Sequence, residues 1–303
     1  MSTEPLRLAD GRRLRWWEGG DPDGLPVIFC HGCPDTRHAA MPGDGAARRA
    51  GVRLIAVNRP GYDGSDAYPS DHLTVADDLV EAAALLGVER FSLLGMSVGG
   101  GYALACAARH PDQVAAVALV ASPADATRLD PPTPRDGLDT DGAAFFARIA
   151  GSASAEEAVE LMRPDYEDFV RRVRADDPDD RDLADRWLAG LPPADAELVS
   201  QRGAASVAAS VREALADPEG YLRDAAVTFR PWAFRVEDVA CPVSLWYGAA
   251  DPQTAVRNAT ALAARLSRPT LHVHDTTAHL ETLLTQWDPV LAELGSATRA
   301  SLG

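Results

Sequence analysis

Four strand-length runs of almost unbroken apolar residues set the tightest limit on how this chain folds. They are PVIFC at 26–30, VRLIAVN at 52–58, RFSLLG at 90–95 and VAAVALVAS at 114–122. Strands with one wet face alternate apolar and polar residues; these do not, so both of their faces need cover. Helical patterns lie between them. One runs over 74–86, with Thr74 as a candidate cap, Asp77 completing a capping box and Gly87 as a stop. A second runs over 100–110 and ends at Pro111. Apolar strands alternating with helices predict an α/β fold, a mostly parallel, doubly wound sheet with helices on both faces.

The rhythm lapses after Pro123. From 124 to 238 the chain is rich in Asp, Arg, Ala and Pro at helical spacing, with no strand signal, and RADDPDDRD at 174–182 reads as a solvated loop. Strand and helix patterns resume at CPVSLWYG (241–248), near 254–266, at 270–274 and from about 280. RRLRWWE at 12–18 reads as one further strand, before a GGDPDG turn. The expected organisation is a sheet domain formed by 1–123 and 239–303, interrupted by a helical insertion over 124–238.

Charge narrows the partners. A formal net charge of −16 over 303 residues argues against nucleic acid and anionic membranes. All 29 basic residues are arginine, which removes Schiff-base lysine, the P-loop lysine and a serine–lysine dyad. The most apolar run, VAAVALVA at 114–121, is strand-sized and too short to span a bilayer. MSTEPLRLADGRR lacks the apolar stretch of a secretory signal, and cysteines at 30, 33, 106 and 241 do not read as a disulfide framework. The expected compartment is the cytoplasm. Cys30-His31-Gly32-Cys33 is a C-x-x-C, but no second pair follows, and Cys33 enters a Pro34-Asp35 turn where a redox motif opens a helix. No metal or cofactor is expected.

Chemistry concentrates at Gly95-Met96-Ser97-Val98-Gly99, a G-x-S-x-G between a predicted strand and a predicted helix. In that context a sharp turn lifts the serine above the strand end, and the helix start supplies backbone N–H groups, Val98 first, toward an oxyanion. A serine hydroxyl needs a base. Of the seven histidines, His279 stands in the loop after the last strand and is the best placed. His272 and His274 share a strand face and read as packing residues; His110 closes a helix; His38 and His72 fall in polar loops. Asp251, just past the strand VSLWYG, is the expected orienting carboxylate, with Asp125 a competitor.

With these motifs the chain resembles the α/β-hydrolase superfamily, of the serine-nucleophile type with a helical cap. His31-Gly32, NRPGYDGSD at 58–66, the serine elbow and the Asp251/His279 pair carry the resemblance. It implies that Cys33 lends its main-chain N–H to an oxyanion hole alongside Val98, and that the insertion is a cap over the site. Where many relatives have Asp-Arg-Pro-Gly-Tyr-Gly, this chain has Asn58 and Asp63; Ala278 stands before the base in place of glycine, and ADPQTA follows the acid in place of Val-Pro.

Serine at 97 argues against dehalogenases and epoxide hydrolases of that superfamily, which use aspartate. It favours hydrolysis of an ester, thioester or related acyl bond in a small, apolar substrate. A lyase or tailoring enzyme, an amidase resembling the proline iminopeptidases, and a ligand-binding protein stay open. The substrate contacts expected are His31, Met96, Phe145, Phe146 and Trp187, among insertion aromatics that also include Tyr166, Phe169, Tyr221, Trp232 and Phe234.

Overall fold

The computed structural model describes residues 4–176, 178–254 and 256–302. The segment expected as one strand near 12–18 divides. β1 (Leu6–Arg7) and β2 (Arg13–Leu14) form a two-stranded ladder, and β3 (Trp16–Gly20) begins the main sheet. β4 (Leu25–Cys30), α1 (Asp44–Ala50), β5 (Val52–Val57), α2 (His72–Leu85), β6 (Phe91–Met96), α3 (Gly99–Arg109) and β7 (Val114–Val120) follow. Six helices come next: α4 (Thr140–Ala150), α5 (Ala155–Arg174), α6 (Asp180–Leu188), α7 (Pro193–Ser200), α8 (Ala204–Ala214) and α9 (Pro218–Phe229). The chain then closes with β8 (Val243–Gly248), α10 (Val256–Ala263), β9 (Pro269–His274) and α11 (His279–Leu302).

The seven-stranded sheet has the order β3-β5-β4-β6-β7-β8-β9, parallel except for β3, which runs against β5. Side chains point alternately to its two faces, and over the strands from β4 to β8 both faces are dry. Ile28, Ile55, Leu93 and Leu119 pack with Leu79 of α2, Leu104 of α3 and Leu262 of α10. Phe29, Leu54, Leu94 and Val120 pack with Ala47 of α1 and Leu283, Trp287 and Leu291 of α11. The near-continuous apolar strands are the direct consequence.

Winding reverses between β4 and β6. From β4 the chain crosses outward to β5, and from β6 it crosses the other way to β7. The loops after these neighbouring strands therefore diverge and leave a crevice at their C-terminal ends. Between β7 and β8 the described residues form no strand, and the six helices bury a core of their own around Met162, Tyr166, Leu183, Val211 and Leu222.

Two local expectations are corrected. α2 starts at His72 rather than Thr74: Asp71 is the cap, its carboxylate accepting from Leu73 N and Thr74 N, while Thr74 Oγ1 accepts from Asp71 N. Asp77 instead pairs with Arg109 and His110 of the neighbouring helix end. His72 lies in no polar loop; it is buried against Tyr102, Trp232 and Phe234. His38 sits in a short 3-10 turn and meets Glu213 of α8 at 3.2 Å.

Candidate active site

β6 gives way to α3 through a turn two residues long. Ser97 adopts φ 52°, a left-handed conformation that a residue with a Cβ takes up at a cost. Hydrogen bonds on both sides hold it there, with Ser97 N donating to Val120 O at 2.9 Å and Gly100 N donating to Ser97 O at 2.9 Å. The flanking glycines answer to contact. A Cβ on Gly95 would stand 2.6 Å from Gly100 Cα, and one on Gly99 would meet the Cys30 carbonyl and lie 2.6 Å from His31 O. Ser97 is thereby raised at the N-terminus of α3, where the amides of Val98 and its successors begin the helix.

His279 opens α11, and its Nδ1–H donates to Asp251 Oδ2 at 2.7 Å. That bond leaves Nε2 as the basic nitrogen. The second carboxylate oxygen of Asp251 accepts from Gln253 N at 2.7 Å and Thr254 N at 3.0 Å, so the acid is fixed on both sides. Asp125 is engaged elsewhere: it caps a short 3-10 turn through Thr127 and accepts from Trp232 N. α11 is itself pinned at its start. Glu281 N donates to Asp195 Oδ1 at 2.8 Å, and burial raises the Asp195 carboxyl above the ordinary aspartate value.

Ser97 and His279 open onto one cavity of about 850 Å³, which Cys33 and Met96 also line. Its outer wall comes from the helices between β7 and β8 and includes Phe169, Trp187 and Tyr221. Phe145 and Phe146 lie outside that lining. Phe145 packs on the core of those helices, and Phe146 meets Phe229 edge to face. Four arginines, Arg135, Arg172, Arg186 and Arg202, stand on the wall that was expected to be apolar.

His31, expected as a substrate contact, is fully buried and does not line the cavity. Its Nδ1–H donates to Gly32 O at 2.8 Å, and its Nε2 accepts from Arg59 N at 3.2 Å. Burial, with the Arg59 charge second, holds the ring neutral by driving its pKa well below the ordinary histidine value. Arg59 continues the network, donating to His31 O at 2.6 Å and Gly32 O at 2.9 Å and forming a buried ion pair with Asp224 of α9. Tyr62 and Tyr102 donate their hydroxyls to the same carboxylate. The loop that carries Cys33 is thus shaped by a buried cation whose counter-charge comes from α9. Asp224 carries no local mark in the sequence, being one aspartate in a segment, 124–238, that is rich in them.

The C-x-x-C holds no disulfide. Cys30 and Cys33 are free, burial pushes the Cys30 thiol up to about 12 and raises that of Cys33 too, and neither is poised as a thiolate. His272 and His274 lie against Trp246, and His272 Nε2 meets Glu293 at 2.9 Å, which fits the packing reading. No group of metal-ligating side chains occurs among the described residues. No helix among them is long and apolar enough to cross a membrane.

Comparison with known proteins follows the same outline. The sequence model of a family described as alpha/beta hydrolase fold matches residues 26–281. Epoxide hydrolase A of Mycobacterium tuberculosis is 34% identical over 137 residues, covering 43% of this chain and 42% of that protein. A proline iminopeptidase of Neisseria gonorrhoeae is 30% identical over 118 residues, 38% of each. The matched stretch thus spans about two-fifths of these relatives. Among solved structures, a thermophilic esterase from Thermogutta terrifontis superposes with a TM-score of 0.66 at 20% identity, covering 99% of both chains. The enol-lactonase from Burkholderia xenovorans LB400 gives 0.64 at 15%, covering 97% of this chain and 99% of the other. At such identities the likeness is one of fold.

Proposed function

Because the chain belongs to the alpha/beta hydrolase fold family, we propose that it is a serine hydrolase acting on an acyl bond of a small molecule. One observation carries the reading: Ser97, held at positive φ on a strand-to-helix turn, shares a cavity with a histidine whose far nitrogen is bonded to a buried carboxylate. Ser97 Oγ attacks the carbonyl carbon as its proton passes to His279 Nε2. Asp251 holds the imidazole in the productive tautomer and stabilises the imidazolium. The N–H groups of Cys33 and Val98 receive the oxyanion, and the leaving group departs with the proton from His279. Water then repeats the sequence on the acyl-enzyme, releasing the acid and restoring Ser97. Residues 1–123 and 239–303 form the catalytic domain in this reading, and 124–238 the cap that closes it and shapes the substrate. The free state of all four cysteines fits a cytoplasmic protein.

Intact mass after treatment with a small fluorophosphonate tests the proposal. The expected result is a single adduct on the wild type and none on Ser97→Ala, with turnover of p-nitrophenyl acetate falling at least about 10³-fold in the variant. A folded wild type that forms no adduct and turns over no ester overturns it.

A further inference from the structure

The charge of the cavity runs against the charge of the molecule. Acidic residues outnumber basic ones 45 to 29 along the chain, yet the cavity wall holds Arg135, Arg172, Arg186 and Arg202 against one carboxylate, Asp35. All four arginines come from the segment between β7 and β8 and line the same cavity as Ser97 and His279.

Their partners are equally uneven. Elsewhere on α5, Arg163 pairs with Glu160 and Arg171 with Asp168. Among the described residues none of the four cavity arginines forms an ion pair. Arg186 donates to the Ala175 carbonyl at 2.8 Å, and Arg202 donates to Ser210 Oγ at 2.8 Å. Neutral acceptors of this kind orient a guanidinium without neutralising it. Arg202, half-buried, gains least from solvent. Asp35 is the one carboxylate of the lining; burial raises its carboxyl above the ordinary aspartate value, against the Thr36 N–H bond and the nearby Arg202 charge. Several cationic forks lining one concave wall are suited to a carboxylate or another planar oxyanion.

Resting on the hydrolase reading above, we propose that the acyl substrate carries an anionic oxygen group, a carboxylate in its simplest form, which the arginines of the 124–238 segment hold while the acyl carbon lies at Ser97. The cavity then selects an acidic ester over its neutral counterpart. The excess of negative charge on the rest of the molecule does not prevent this, because fields of exposed charges are screened within about 10 Å at ordinary salt.

Two measurements separate this from the hydrolase reading. The first is calorimetric binding to Ser97→Ala, which holds substrate without turning it over. Monomethyl succinate is expected to bind at least about tenfold more tightly than methyl pentanoate of similar length. The preference should shrink toward unity in Ser97→Ala carrying Arg172→Gln and Arg202→Gln, and in 0.5 M salt. If Arg202→Gln impairs folding, Arg172→Gln with Arg186→Gln, both exposed positions, serves in its place. Equal binding of the two esters, or a preference untouched by the arginine changes, overturns the proposal. The second measurement is kcat/KM of the wild type on p-nitrophenyl hemisuccinate and p-nitrophenyl pentanoate. An anionic-to-neutral ratio that drops about tenfold or more in the arginine variants supports the anion site. Equal rates on both esters overturn it and leave the hydrolase standing; binding preference without any turnover keeps the anion site and sinks the hydrolase.

Discussion

Asn58 shows how one residue records its surroundings. The family resemblance leads one to expect aspartate at this place in the motif, and the structure supplies a reason for the amide. Asn58 Nδ2 donates to Glu213 Oε1 at 2.8 Å and to Asp63 O at 3.0 Å, while Oδ1 accepts from Arg37 N at 2.7 Å. Glu213 arrives from α8 and also takes Arg37 and His38 as partners. A carboxylate at 58 would oppose Glu213 with no donor between them, in a place both residues share with little water. Asn58→Asp is therefore expected to destabilise the protein by about 2 kcal/mol. Added to Glu213→Gln, it should cost at least about 1 kcal/mol less than in the wild-type background. Urea midpoints of the four proteins give the coupling, and strict additivity would refute the charge argument. His31 makes the same point from the other side. Its sequence position beside the oxyanion loop invited a substrate role, whereas its ring is consumed by Gly32 and Arg59.

At the scale of elements, the β6–α3 turn is where the backbone is most tightly determined. α3 begins directly against the ends of β4 and β6, so Gly99 has the Cys30 and His31 carbonyls where its side chain would be. Both are main-chain groups of a strand end and cannot rotate away. Gly99→Ala is expected to lower stability by about 2–3 kcal/mol and to displace Ser97, reducing fluorophosphonate labelling even in protein that folds. Unchanged labelling and an unchanged urea midpoint would show that the turn has slack. α11 contrasts with this. It places His279 at its first residue, and Asp195 of α7 binds the Glu281 amide, so the position of His279 depends on a helix between β7 and β8. The sequence revealed the turn because glycine spacing is local. It concealed Asp195, as it concealed Asp224, because their partners lie far along the chain.

Across the whole molecule, the helices between β7 and β8 are tied to the sheet and its flanking helices by buried charge as well as apolar contact. Arg59 with Asp224 and Arg37 with Glu213 both cross that boundary. Buried neutral histidines add a pH limit to this assembly. His72 is enclosed by Tyr102, Trp232 and Phe234, and burial depresses its pKa to about 3, with Asp71 and Arg59 pulling in opposite directions. Unfolding returns it to the ordinary value of 6.5, so the unfolded chain binds the extra proton and stability falls as pH drops below 6.5. Between pH 7 and pH 5 this one group removes about 2 kcal/mol. His72→Phe, which keeps an aromatic ring in the box, is expected to lessen the loss over that interval by a similar amount, read from urea unfolding at the two pH values. An identical pH dependence in wild type and variant would mean that His72 stays protonated, or wet, in the fold.

α1 and the division of the first strand were not legible in the sequence. By itself it determined the layered α/β architecture, the order of the main-sheet strands from β4 onward with α2 and α3 between them, and the turn that raises Ser97. Those features follow from apolar periodicity and from glycine at short spacing, which are written in neighbouring residues. It also singled out Asp251 and His279 by their places after successive strands. Tertiary structure alone decided the rest: that Asp251 rather than Asp125 meets His279, that His31 and His72 are interior residues, that Asp224 and Glu213 neutralise buried arginines, and that four arginines line the cavity that Ser97 opens onto. The physical reason is common to all four. A charge or ring acquires its partner, its burial and its pKa from groups brought together by folding, and no local pattern encodes which distant residue that will be.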